Sequence, residues 1–139
     1  MNASFEEKSV WIQLIGMVVV LGSYFVVAAR MLSMGVTVVA AFVPLFCVAV
    51  VLLVVVLVAG HTIVAIASRP EGRDERDRVI EWRAERNSSW ILSVGVLAAI
   101  TGMVLSVANV WIAHLLMLSM LLSEVAGYVF QLVYYRRGM

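Results

Sequence analysis

Seven residues towards the C-terminus, His114, Met117, Leu121, Glu124, Tyr128, Gln131 and Tyr135, recur at alternating spacings of three and four, and only Leu121 is plainly apolar. On a helix that spacing places all seven on one face. Glu124 is its centre of interest, because among nine acidic residues it alone lies inside a long apolar run. A carboxylate at bilayer depth costs about 2.5–3.5 kcal/mol on insertion scales, so such groups face protein or water and have a partner or a task. Three chemistries suit the face: interhelical hydrogen bonding through a protonated carboxyl, a proton or cation site, and a ligand pocket.

Depth along the helices selects partners for Glu124. It lies twelve residues before Arg136, and His61 lies eight before Arg69, which sets them about 18 and 12 Å from the same end at 1.5 Å per residue. A Glu124–His61 pair, direct or through one water, is therefore a candidate, with Tyr24, Ser23 and Gln131 as alternatives. The plainer roles are a histidine bonded to a backbone carbonyl and a neutral carboxyl that joins two helices. A second donor set combines Met31 and Met34 with His114, Met117 and Met120, since thioethers and imidazole suit Cu(I); adaptable methionine packing accounts for the same residues. The chain has no Cys/His cluster at zinc spacing, no phosphate-binding loop and no Ser/His/Asp set at one depth. No enzyme, metal or cofactor is expected, and two histidines near opposite ends do not form a haem-ligating pair.

The elements that carry these residues are membrane helices. A chain of 139 residues, 63% hydrophobic and 14% charged, cannot bury its apolar surface in a soluble core. Four runs, 10–29, 36–67, 89–108 and 111–135, reach the roughly 20 residues that cross a bilayer. The expected fold is all-α: one integral membrane domain over 1–139, a four-helix bundle built as two tandem hairpins. The run 36–67 is long enough to require tilt or projection, and Pro44 is expected to kink it. Residues before Val10 include Glu6, Glu7 and Lys8 and lack a basic leader, so no removable signal peptide is expected. Cys47, the single cysteine, cannot form an intrachain disulfide.

Nine of the ten Lys and Arg residues lie on one side of these runs, with only Arg30 on the other. The positive-inside rule then puts both termini and the central loop in the cytoplasm, in an inner membrane of prokaryotic type. Trp11, Trp90 and Trp111 mark interfacial run ends. A net charge of +1 gives no basic field for nucleic acid. The expected partners are the lipid bilayer and either further copies of the chain or another membrane protein; no particular small molecule is indicated.

The loop from Ser68 to Arg86 balances six arginines against six acids. Pro70 and Gly72 make a turn, and a helix is expected over about 74–88, supported by Asp74–Arg78 and Glu75–Arg78 pairs and by acids in its first turn. It runs towards the third membrane helix with no breaker before Ser89. Arg78, Val79, Ile80 and Trp82 give it an edge suited to a protein partner, while self-paired charges equally suit a solvated connector. The run D-E-R-D-R-x-I-E-x-R-x-x-R (Asp74, Glu75, Arg76, Asp77, Arg78, Ile80, Glu81, Arg83, Arg86) between hydrophobic hairpins resembles a loop in small four-helix prokaryotic membrane proteins grouped as families of unknown function. The resemblance covers about twenty residues by its own span of sequence and implies the layout, with no activity or site. Small multidrug-type transporters share the helix number and a single membrane glutamate, but carry theirs in the first helix.

At an offset of 79 residues, Glu6, Ser9, Trp11, Ile12 and Gly16 fall on Glu85, Ser88, Trp90, Ile91 and Gly95. The match suggests two parallel hairpins, although interfacial Trp and helix-start Ser also recur for physical reasons. Small residues on the third run, Gly95, Ala99, Gly102, Ser106 and Asn109, offer the fourth a close approach. The functional expectation is a non-enzymatic interaction, accessory or regulatory subunit that forms oligomers. The alternatives are a small ion-coupled carrier using Glu124 and, third, soft-metal binding.

Overall fold

Runs of Val, Leu and Ala without internal breakers can satisfy backbone hydrogen bonds in hydrocarbon only as helices. The computed structural model, described over residues 5–67 and 74–138, has four long ones. They are α1 (Phe5–Ser33), α2 (Val43–Ala67), α3 (Glu75–Val104) and α4 (Asn109–Arg137), with a short 3₁₀ turn at Val39–Phe42 before α2. The described residues are all-α, and each helix is long and apolar enough to cross a membrane.

The helices outrun the apolar segments. α1 starts at Phe5 rather than near Val10 because Glu6 and Glu7 in its first turn complement the positive helix end. Pro44 does not kink α2. It occupies the first turn, where a missing N–H has no intrahelical acceptor to lose. The long apolar run is broken instead at residues 34–42, before the helix begins. The loop helix and the third membrane helix are one rod, α3, opened by a capping box: the Asp74 side chain accepts from the Glu75 amide at 2.7 Å and Asp77 accepts from the Asp74 amide at 3.1 Å. Pro70 and Gly72 lie outside the described residues.

Both hairpins turn with the same device. After α1, Val36 N–H donates to Met31 and Gly35 N–H to Leu32; after α3, Val107 N–H donates to Gly102 and Ser106 N–H to Met103. These are Schellman motifs, which need a left-handed residue. Gly35 (φ 85°) takes it freely, whereas Ser106 (φ 58°) takes it against its Cβ. Ser106 and Asn109 therefore belong to the turn and to the start of α4, and not to the packing face of α3. Ser106→Gly is expected to stabilise the protein by about 0.5 kcal/mol, since relief of about 1 kcal/mol is partly offset by glycine's unfolded-state entropy. Thermal unfolding in detergent reads this directly, and a lower midpoint would refute it.

Packing runs in the order α2, α1, α4, α3, with α1 and α4 as the central pair. α4 buries 39% of its apolar window and α2 only 11%, which fits central and outer positions. The core lies between the central helices and the 3₁₀ turn, around Leu21, Tyr24, Ala28, Phe42, Val110 and Leu121. On α3, Ile80, Ala84, Ser88, Gly95 and Ala99 are buried along one stripe, and α4 is the helix it packs on.

Candidate functional site

The order of the helices creates a groove. α1 and α3 both pack on α4 but hardly on each other, so a cavity of about 380 Å³ remains between them, at the end of the molecule that carries both termini. Glu6, Ser9, Val10 and Gln13 of α1 form one wall, and Asp77, Glu81, Glu85, Ser88, Ser89 and Leu92 of α3 form the other. The floor is α4, through Ser123, Glu124, Gly127, Tyr128, Gln131 and Tyr135. The lower half of the polar stripe thus shares one space, as its spacing predicts. Glu124 is exposed, lines the groove, and with Leu92 is among its deepest residues along the helices. Tyr128 lies within reach of the charges of both Glu124 and Glu81.

Five carboxylates line this space, Glu6, Asp77, Glu81, Glu85 and Glu124, and among the described lining residues there is no Lys or Arg. The walls are held in place by polar contacts between helices. Tyr135 Oη donates to Asp77 Oδ1 at 3.0 Å, Asn87 Nδ2 donates to Tyr134 Oη at 2.6 Å, and Ser123 Oγ donates to the Ser88 carbonyl at 3.1 Å. On the α1 side, Arg136 approaches Glu7 at 3.8 Å and the Trp11 ring at 6.0 Å. The Arg136–Glu7 ion pair, with its arginine exposed, contributes little to stability alone. Together these contacts set the width of the groove.

The two histidines do not meet Glu124. Each is held instead at both ring nitrogens. His61 Nδ1 lies 2.7 Å from the Leu57 carbonyl, and His114 Nδ1 lies 2.7 Å from the Val110 carbonyl. A carbonyl only accepts, so Nδ1 carries the hydrogen of that bond, and Nε2 of that tautomer is left as the acceptor. His61 Nε2 accepts from Ser9 Oγ at 2.9 Å and, at 3.4 Å, from Gln13 Nε2; His114 Nε2 accepts from Tyr24 Oη at 3.2 Å. α1 is consequently pinned to α2 near the terminal end and to α4 deeper in the molecule. Ser9 and Gln13 both face the groove and hold His61, so they separate that ring from Glu124 while linking it to the same space.

His114 is buried rather than part of the groove, with its ring against Phe42, Tyr24 and Phe25. Met117 Sδ lies 3.8 Å from the same Tyr24 hydroxyl, and Met31 packs against the same core, while Met34 and Met120 are exposed. Of the five soft donors, only His114 and Met117 meet at Tyr24. No group of three or more His, Cys, Asp or Glu side chains with metal-holding geometry occurs among the described residues. The loop-helix edge is divided: Ile80 is buried, whereas Arg78, Val79 and Trp82 are exposed, with Arg86 stacked 5.7 Å from the Trp82 ring. Sequence reasoning did not find the contribution of Glu6, Ser9 and Glu85 to the groove. The signal was present in the shared Glu6/Glu85 and Ser9/Ser88 positions of the 79-residue match. No protein family, curated protein or solved structure matches the chain.

Proposed function

We propose that this protein is a non-enzymatic interaction or accessory subunit of a membrane assembly, and that its acid-lined groove receives a basic group presented by a partner membrane protein. The observation that supports this reading is the groove itself: five carboxylates, no lining Lys or Arg among the described residues, and walls open between α1 and α3. With nine of ten basic residues on the terminal side, the groove faces the cytoplasm of a prokaryotic inner membrane. Lys and Arg concentrate at that level in other membrane proteins for the same reason. A basic side chain flanking a partner's membrane helix therefore has the right charge at the right depth, and Glu124 meets its inner end.

Native mass spectrometry of the protein extracted in mild detergent from its own membrane tests the assignment. The wild type is expected to carry a second protein in fixed stoichiometry, Glu124→Lys to lose it, and Glu75→Lys, outside the groove, to keep it. Retention by Glu124→Lys would remove the groove from the interface. The size of the groove favours one second reading, since about 380 Å³ falls within the range of small-molecule sites. In that reading the protein is a carrier of a small organic cation and Glu124 is the residue that binds it. A bound small molecule in place of a protein, lost in Glu124→Gln together with transport, would select it.

A further inference from the structure

The two hairpins share a register of helix contacts as well as the five identities in sequence. In the first, Ser9 reaches His61, and a Cβ on Gly16 would lie 3.3 Å from Leu57. In the second, the Ser88 carbonyl accepts from Ser123, and a Cβ on Gly95 would overlap Ser119. Ser9 and Gly16 map to Ser88 and Gly95 at +79, while Leu57 and His61 map to Ser119 and Ser123 at a single offset of +62. Val20 and its equivalent Ala99 are both buried. One register of contacts is thus used twice, each time ending in the same Schellman turn.

The join between the hairpins is not symmetric. It pairs the first helix of one repeat, α1, with the second helix of the other, α4. Such a head-to-tail contact leaves the complementary pair of surfaces, on α3 and α2, unused within the chain. The offsets name them. Leu21 and Tyr24 of α1 become Ile100 and Met103 of α3; Val110, His114, Met117 and Leu121 of α4 become Val48, Leu52, Val55 and Ala59 of α2. In the existing join Tyr24, Val110 and His114 are 3%, 1% and 8% exposed; their counterparts Met103, Val48 and Leu52 are 58%, 60% and 50% exposed.

We infer that α3 of one copy packs on α2 of a second copy in the arrangement that α1 and α4 use within the chain. The occupant of these faces is therefore a second copy, joined head to tail and closing into a ring when the rotation permits. The inference goes beyond the groove and does not depend on what the groove holds, because neither face contributes to its lining. Both faces are wholly apolar, so the contact rests on van der Waals packing at the expense of lipid.

Two differently tagged chains, one Leu52→Cys and one Met103→Cys, both carrying Cys47→Ser to remove the exposed native thiol, are co-expressed and oxidised with copper-phenanthroline in intact membranes. The expected result is a cross-linked dimer that contains one of each tag, lost when Thr101→Cys replaces Met103→Cys. Thr101 is exposed and lies at nearly the same depth but on the opposite side of α3, since two helical residues are turned by about 200°. A mixed dimer no stronger than this control would overturn the inference and leave the faces to lipid. Self-cross-linking of either single variant in preference to the mixed pair would overturn it too, because that is a two-fold and not a head-to-tail contact. All three sites are exposed, so folding is retained, and native mass spectra of the tagged chains monitor it.

Discussion

Gly95→Leu is expected to remove most of the folded protein from the membrane, and Gly95→Ala to destabilise it by about 2 kcal/mol, towards the middle of the range for overpacked sites. A Cβ at this position would overlap the Cβ and Oγ of Ser119 on α4, with the Ser119 backbone 3.7 Å away. Rotating the serine does not relieve the contact, because its own Cβ is part of it. The hydroxyl is also held by the Leu115 carbonyl at 2.7 Å. Alanine would gain up to about 1 kcal/mol of helix propensity over glycine, so the overlap wins. Gly22 supplies the control: nothing lies within 4 Å of its would-be Cβ, and Gly22→Ala is expected to be neutral or slightly stabilising. Ser119→Gly should restore most of the loss in Gly95→Ala, a coupling that a double-mutant cycle in detergent unfolding measures. Additive losses would mean that α3 and α4 do not approach at this pair.

His114→Ala should cost about 3 kcal/mol and Tyr24→Phe only about 0.6 kcal/mol, the usual size of an interhelical hydrogen bond in a membrane. Both changes break the bond from Tyr24 Oη to His114 Nε2. Only the first empties the space between the rings of Phe42, at 4.7 Å between centroids, Tyr24 at 6.0 Å and Phe25 at 6.5 Å. His114→Phe fills that space without the hydrogen bonds and is expected to fall close to Tyr24→Phe. Unfolding midpoints for the three variants decide the matter: equal losses in His114→Ala and Tyr24→Phe would put the stabilisation in the polar contact instead of in packing.

Hydropathy and charge made the four helices, their pairing in hairpins and the loop helix legible, because each follows from local pattern. The stripe on α4 was legible for the same reason, and Glu124, Tyr128, Gln131 and Tyr135 do share one groove. Helix ends were not, since hydropathy marks the part of a helix that sits in lipid, while α1 and α3 continue into polar sequence at Glu6 and Glu75. The Glu124–His61 pair failed for a reason of dimension. Spacing from the basic ends gives height, whereas meeting also requires neighbouring helices. α1 stands between α2 and α4, so His61 at a suitable height finds Ser9 and Gln13. Pro44 shows a related limit, because its effect depends on whether it falls in the first turn or the middle of a helix, and only the position of the preceding turn decides that.

The unbroken rod α3 has a mechanical consequence. Thirty residues make about 45 Å at 1.5 Å per residue, against about 30 Å of hydrocarbon, so roughly a third of the rod stands clear of the lipid. Between Asp74 and Gly95 it contains neither proline nor glycine, the residues at which helices bend. It is therefore a lever with its fulcrum where Gly95 meets Ser119 of α4: a tilt of about 10° about that point swings Glu75, about 30 Å away, through about 5 Å. The Tyr135–Asp77 and Asn87–Tyr134 hydrogen bonds tie that arm to α4 and resist such a tilt, so they are the latch that keeps Asp77, Glu81 and Glu85 at a fixed distance from Glu6 and Glu124.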